Sequence, residues 1–148
     1  MKTSKAGIDL INSFESLRLK AYPDPGSKDG KPVTIGWGST GPDITLSTVW
    51  TKEQSDARFA KDLARFEIGV SKSVSVNLKQ HQFDALVSFA YNVGLGNFLS
   101  STLLKMLNEG YTKNASLQFG KWIFNDKKVM NGLVRRREAE RKLFSGEQ

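Results

Sequence analysis

Apolar residues recur at Ile8, Ile11 and Phe14, and at Leu10, Phe14 and Leu17, spacings of three and four that draw one stripe down an amphipathic helix. Ser4 stands where such a helix takes its N-cap. The period then falls to two, with Leu17, Leu19 and Ala21 alternating against Arg18 and Lys20, the pattern of a strand. A run of breakers follows, Pro23-Asp24-Pro25-Gly26-Ser27-Lys28-Asp29-Gly30-Lys31-Pro32, with Asp29-Gly30 as its turn signal. Val33-Thr34-Ile35-Gly36-Trp37-Gly38 reads as the returning strand. Thr51-Lys52-Glu53-Gln54 has the spacing of a capping box and opens a helix carried by Ala57, Ala60, Leu63 and Val70, with Gly69 marking its end or a bend. Asn77-Leu78-Lys79-Gln80 reads as a second box. Beyond it Phe83, Leu86, Val87, Phe89, Ala90, Tyr91 and Val93 are apolar on nearly every side, which predicts a central, buried helix stopped by Gly94. Shorter helices are expected at about residues 102–108, 115–123 and 134–144.

One early hairpin with helices after it makes an α+β chain. At 148 residues a single domain can bury roughly 70% of the surface its unfolded chain exposes, so a core needs no disulfide or metal to hold it. The expected layout is a small β-containing lobe over about residues 12–60. It sits beside a larger helical lobe of about 70–148 plus the N-terminal helix, with a cleft between them suited to an extended substrate.

With no cysteine, thiol nucleophiles, Cys-ligated zinc and iron–sulfur clusters are excluded, and a single histidine, His81, rules out multi-His metal sites. The expected chemistry therefore uses carboxylates and hydroxyls with no metal or cofactor. His81, between Gln80 and Gln82 in the first turn of a helix, reads as a solvated or capping residue. No apolar run approaches the roughly 20 residues that span a bilayer, and Lys5, Asp9 and Asn12 interrupt what would be a signal peptide's apolar segment. The expectation is a monomer made in the cytoplasm, without stable membrane insertion.

The net charge of +7 favours polyanionic partners: nucleic acid, acidic membrane or bacterial wall. Residues 121–148 hold eight of the 22 basic residues and only four of the 15 acidic ones, so the excess is concentrated there. In Arg135-Arg136-Arg137-Glu138-Ala139-Glu140-Arg141-Lys142 the signs alternate at helical spacing, as on a solvated, ion-paired face or a phosphate-binding patch. A basic nucleic-acid-binding domain built on that helix is the non-enzymatic alternative, although no nucleic-acid motif accompanies it.

Glu15 falls on the last turn of the first helix and Asp24 at the mouth of the hairpin, with Thr34 on the returning strand facing back toward Asp24. Hydrolysis of a glycosidic bond needs a carboxylic acid to protonate the leaving oxygen, and a carboxylate to activate water or attack directly. Two carboxyl groups in unlike settings meet that need. Glu15 beside Phe14 and Leu17 is the partly desolvated one, and Asp24 in an open turn is the ionised one. On spacing alone the pair fits a surface glutamate and a turn aspartate better than a catalytic pair.

The run Phe14-Glu15-Ser16-Leu17-Arg18-Leu19-Lys20-Ala21-Tyr22-Pro23-Asp24, then Val33-Thr34-Ile35-Gly36-Trp37-Gly38, closely resembles the active-site signature of phage-type lysozymes, the endolysins of glycoside hydrolase family 24. Gln82-Phe83-Asp84-Ala85-Leu86-Val87-Ser88-Phe89-Ala90-Tyr91-Asn92-Val93-Gly94 and Asn131-Gly132-Leu133-Val134-Arg135-Arg136-Arg137-Glu138 resemble the same family, so the likeness spans about residues 7–144. It implies a lysozyme-like fold and a muramidase that cuts the β-1,4 bond between N-acetylmuramic acid and N-acetylglucosamine. Glu15 would be the general acid, with Asp24 and Thr34 holding the water that attacks with inversion. Tyr91 and Asn92 would line the cleft, with Ser101 beside them. The partner would be a peptidoglycan strand, reached with help from a separate holin-type membrane protein. Among the tryptophans, Trp37, Trp50 and Trp122, the last is the expected neighbour of the cleft. A lytic transglycosylase and a binding-only relative are the alternatives closest to this reading.

Two features depart from the family. Nine residues separate Asp24 from Thr34, more than in compact members, which makes Asp29 a rival for the hairpin carboxylate. Ser39 stands where many relatives have His, so a His-based ion pair is not expected.

Overall fold

In the computed structural model, which describes residues 1–25 and 27–147, helix α1 (Lys5–Phe14) begins after its Ser4 N-cap as expected. Gly26, within the breaker-rich loop, and Gln148 lie outside the described residues. Two carboxylates of other helices hold the start of α1. The Thr3 amide donates to Glu67 at 2.6 Å, the Ser4 amide donates to Asp84 at 3.0 Å, and the Ser4 hydroxyl donates to Asp84 as well. Asp84 is 1% exposed, so these donors replace the water it has lost. The close approach depends on Gly7, where a Cβ would stand 2.6 Å from Thr3 Cγ2 and 2.8 Å from Asp84 Cγ.

Strand β1 (Arg18–Tyr22) pairs antiparallel with β2 (Thr34–Gly36), setting Arg18 opposite Gly36 and Tyr22 opposite Thr34. The returning strand is shorter than its sequence pattern suggests. Gly36 and Gly38 both have positive φ, and the chain folds back there so that Ile35 and Ser39 exchange backbone hydrogen bonds. The other edge of β1 is covered by residues 48–50, through Ala21 N–H to the Thr48 carbonyl and Trp50 N–H to the Leu19 carbonyl.

Helix α2 (Lys52–Ser73) opens with the expected capping box: the Thr51 amide donates to Gln54 at 2.8 Å and the Gln54 amide donates to Thr51 Oγ1 at 3.1 Å. It neither ends nor breaks at Gly69. The missing side chain there admits Leu95 instead, since a Cβ would lie 2.4 Å from Leu95 Cδ2. Helix α3 (Gln80–Val93) starts at Lys79 rather than at Asn77, because the amide that reaches back is that of Gln82, accepting from Lys79 N–H at 2.9 Å. It is the buried axis: Phe83, Ala85, Leu86, Val87, Phe89 and Ala90 are at most 1% exposed, and Gly94 ends it at φ +93°.

The remaining helices wrap this axis. A short α4 (Leu95–Leu99), with no counterpart in the sequence reading, precedes α5 (Thr102–Asn108). The single helix expected over 115–123 is α6 (Thr112–Leu117) followed by a 3₁₀ turn, Phe119–Lys121. A second small hairpin, β3 (Phe124–Asn125) and β4 (Lys128–Val129), leads into α7 (Asn131–Ser145), which lies against α3. The result is the expected α+β architecture, a β1–β2 hairpin flanked by α2 beside a helical lobe. Among the described residues no helix is long and apolar enough to cross a membrane.

Replacing glycine by alanine inside a helix ordinarily stabilises by about 1 kcal/mol. At Gly7 the sign is expected to reverse, with Gly7→Ala costing about 1–3 kcal/mol through the clash with Thr3 and Asp84. Denaturant melts decide it, and a variant as stable as the parent would show that the two neighbours yield freely.

Candidate functional site

A cleft of about 1010 Å³ separates the hairpin side from the helical side, and Glu15, Asp24 and Thr34 all line it. Glu15 is the C-cap of α1, where the backbone leaves the helix for extended geometry, so its side chain emerges at the cleft floor. The apolar setting expected for it is only half of what surrounds it. Its Oε2 accepts from Arg136 Nη1 of α7 at 2.7 Å, and the side chain retains 17% exposure. Gly38 fits against the same carboxyl: a Cβ there would lie 2.6 Å from Glu15 Oε1, and φ +86° disfavours any side chain.

Asp24 sits half-buried in the turn after β1. Its amide donates to the Gly30 carbonyl at 2.8 Å, closing the loop base, and its Oδ2 accepts from Asn125 Nδ2 at 3.2 Å. Thr34, opposite Tyr22, donates its hydroxyl proton to the Pro32 carbonyl at 3.1 Å. That commitment leaves the oxygen facing other groups as an acceptor. Asp29, the rival carboxylate, is exposed and turned to its own loop, accepting from Ser27 Oγ and Lys31 N–H, which hold it below the usual carboxylate range. Tyr22 registers both site carboxylates: burial pushes its phenol up, with Glu15 and Asp24 adding to the shift and Arg18 opposing it.

Of the four residues expected along the wall, Tyr91, Asn92 and Trp122 line the cleft. Tyr91 is also a core residue. Its ring packs against Phe59 and Phe66, its hydroxyl donates to the Trp37 carbonyl at 2.6 Å, and burial drives its phenol far above the ordinary value, with Glu15 and Asp62 contributing. Trp122 sets its ring edge-on to Phe89 at 5.7 Å. Ser101 stands apart from the cleft lining. It is the buried N-cap of α5, accepting from Leu104 N–H and donating to the Phe98 carbonyl, so both faces of its hydroxyl serve the fold. Trp37 donates to Asp56 and Trp50 carries Arg58 over its ring, both as scaffold contacts. His81 meets the Leu143 carbonyl at 2.9 Å, near the end of α7.

The phage lysozyme family model matches residues 12–140, nearly nine-tenths of the chain. The chain belongs to the phage lysozyme family. It is 48% identical over 145 residues to an endolysin of Bacillus phage PZA, covering 98% of this chain and 55% of that protein. It is 38% identical to an endolysin of Acyrthosiphon pisum secondary endosymbiont phage 1, over 97% of this chain and 98% of that one. The chain thus spans about half the length of its Bacillus phage relatives. Among solved structures, the muramidase domain of SpmX from Asticaccaulis excentricus superposes with a TM-score of 0.82 at 37% identity, covering 97% of each chain. A P22 lysozyme mutant gives 0.76 at 33% identity, over 98% of this chain and 99% of that one.

In this phage lysozyme family member the basic stretch of α7 is the expected solvated, ion-paired face on one side only, at Arg135, Glu138, Arg141 and Lys142, and is buried on the other. Arg136, Arg137 and Glu140 are at most 3% exposed. Arg136 spans two carboxylates, giving Nη1 to Glu15 and Nε to Glu140 at 3.1 Å, and donates Nη2 to the Ser88 carbonyl. Glu140 also accepts from Ser88 Oγ at 2.6 Å and pairs with Arg137 at 2.8 Å. Burial lowers the Arg137 guanidinium below its ordinary value, against the pull of Glu140. Only Arg141 and Glu138 form the exposed i, i+3 pair that the pattern suggests. The missed signal lay in the spacing: Leu133, Arg136, Arg137, Glu140 and Phe144 fall at three- and four-residue steps on one stripe, with charge occupying positions that usually carry Leu. Ser39, whose position drew attention in the sequence, donates its hydroxyl to buried Asp62 at 2.7 Å.

Because Glu140 balances two buried guanidinium groups, Glu140→Gln is expected to destabilise the fold by about 3 kcal/mol, the scale for breaking a buried pair from one side. Urea titration at neutral pH measures it. A loss below about 1 kcal/mol, typical of exposed pairs, would mean that solvent reaches this network.

Proposed function

We propose that the chain is a muramidase that hydrolyses the β-1,4 bond between N-acetylmuramic acid and N-acetylglucosamine in peptidoglycan, as an endolysin does. The observation that carries this reading is the placement of Glu15 and Asp24 on one cleft in unlike settings, one at a helix end against a buried guanidinium and the other in a turn. Glu15 gives its proton to the glycosidic oxygen as the bond from that oxygen to the anomeric carbon breaks. Arg136 meets the carboxylate that this leaves behind. On the opposite face a water donates its two hydrogens to Asp24 and to the Thr34 hydroxyl, whose own proton is engaged by Pro32. The water's lone pair is thereby aimed at the anomeric carbon, Asp24 takes the proton as the new bond forms, and the configuration inverts.

Trp122 and Asn92 supply an aromatic face and an amide for sugar rings and acetamido groups, with buried Tyr91 backing the wall. Ser101, capping α5, is left out of that wall. No cofactor is required. The positive charge favours an anionic wall, which a monomer made in the host cytoplasm would reach once a separate holin-type protein opens the membrane. The nucleic-acid alternative loses its footing because Arg136 and Arg137, the centre of the basic run, are buried and paired.

Mass spectrometry of digested muropeptides tests the reading. Hydrolysis gives reducing ends, whereas a lytic transglycosylase gives 1,6-anhydro ends. Glu15→Gln should abolish product in a protein that still folds, and substantial lysis by that variant would reject Glu15 as the acid. Proton NMR should show α-configured reducing ends first, and initial β product would require a covalent nucleophile instead of held water.

A further inference from the structure

The small hairpin between the 3₁₀ turn and α7 is fixed to the helical lobe at both roots. Trp122 packs on Phe89 on one side, and Met130, the N-cap of α7, donates its amide to the Ile123 carbonyl at 2.9 Å on the other. Its turn is tight, with Asp126 and Lys127 at φ +49° and +68° and Asn125 paired in register with Lys128. Left-handed residues at both central positions match the twist of paired strands, so the tip projects in one direction. What it meets lies 101 and 98 residues earlier: Asn125 Nδ2 donates to Asp24 Oδ2 at 3.2 Å, and Asp126 Oδ2 accepts from the Lys28 backbone N–H at 2.8 Å.

We propose that Asn125 is a positioning residue for Asp24, holding that carboxylate from the opposite side of the cleft, while Asp126 seats the loop that bears it. The inference rests on Asp24 acting on the attacking water, as argued above. A carboxylate's terminal torsion is broad and two-fold, so the orientation of its oxygens must come from its hydrogen-bond partners. The amide of Asn125 supplies direction without charge. A guanidinium in its place would compete for the proton that Asp24 must accept, whereas a neutral donor fixes one oxygen and preserves the carboxylate as a base. The two lobes thus each contribute to the second carboxylate, as they do to the first through Arg136.

The test compares Asn125→Ala, Asn125→Gln and Asp126→Ala with the parent and Asp24→Asn, using solubilised uncross-linked glycan strands, steady-state kinetics and thermal melts. Asn125→Ala should lower kcat about tenfold, as expected for one hydrogen bond to a charged group, with KM within about twofold of the parent. Asn125→Gln, which keeps the amide, should recover most of that loss. Asp126→Ala should lower kcat about threefold through the loosened loop. Parental kcat in Asn125→Ala, a loss carried wholly by KM, or no rescue by Gln would overturn the proposal. If Asn125→Ala does not fold, parental kcat in Asp126→Ala overturns it in the same way. Activity retained by Asp24→Asn would instead reject the functional reading beneath it.

Discussion

The ion network at the head of α7 is the constraint from which the site follows. Arg136 is buried, so its guanidinium must find acceptors, and it finds one on its own helix, Glu140 one turn along, and one distant in sequence, Glu15 at the end of α1. A buried charge stripped of its partner is costly, so the fold that satisfies Arg136 also brings the α1 terminus to the cleft floor. The cleft carboxylate is in this sense part of the core's electrostatic closure. Gly38 completes it from the hairpin side by leaving space for the carboxyl where a methyl would collide.

The same arrangement divides the labour between the two carboxylates. Glu15 is set by a charged group on a rigid helix pair, with Ser88 on α3 securing Glu140 and Arg136 together. The contacts of Asp24 include its own loop closure to Gly30 and the neutral Asn125 amide. In the proposed reaction one group ends as a carboxylate and the other starts as one, and the cationic partner stands beside the group that becomes charged. That asymmetry has a physical sense independent of any family resemblance.

Much of this was legible in the residues themselves. The α1 stripe and its Ser4 cap, the capping box at Thr51, the apolar α3 ended by Gly94 and the Asp24 hairpin were readable because each is a local signal: periodicity, a capping side chain, a turn pair. What failed was non-local. Gly69 reads as an end or a bend because its own neighbours give no sign of Leu95, and α7 reads as solvated because nothing in its own sequence announces Glu15 and Ser88 as partners for Arg136. The second hairpin was invisible because Asp126-Lys127 is not a conventional turn pair and its strands are two residues long. Ser101, which the resemblance implies at the cleft, is a cap, the simpler role of a serine just before a helix.

The Ser39 hydroxyl bonded to Asp62 links the turn after β2 to α2, with Arg58 on the far oxygen of the same carboxylate. A hydroxyl neither gains nor loses a proton across the neutral and mildly acidic range, whereas an imidazole would. The lone imidazole of the chain is engaged elsewhere, against the end of α7. This seam between the hairpin and the long helix therefore lacks the proton switch that histidine would give it, and mild acidification alone offers no imidazole protonation there to strengthen or loosen the grip.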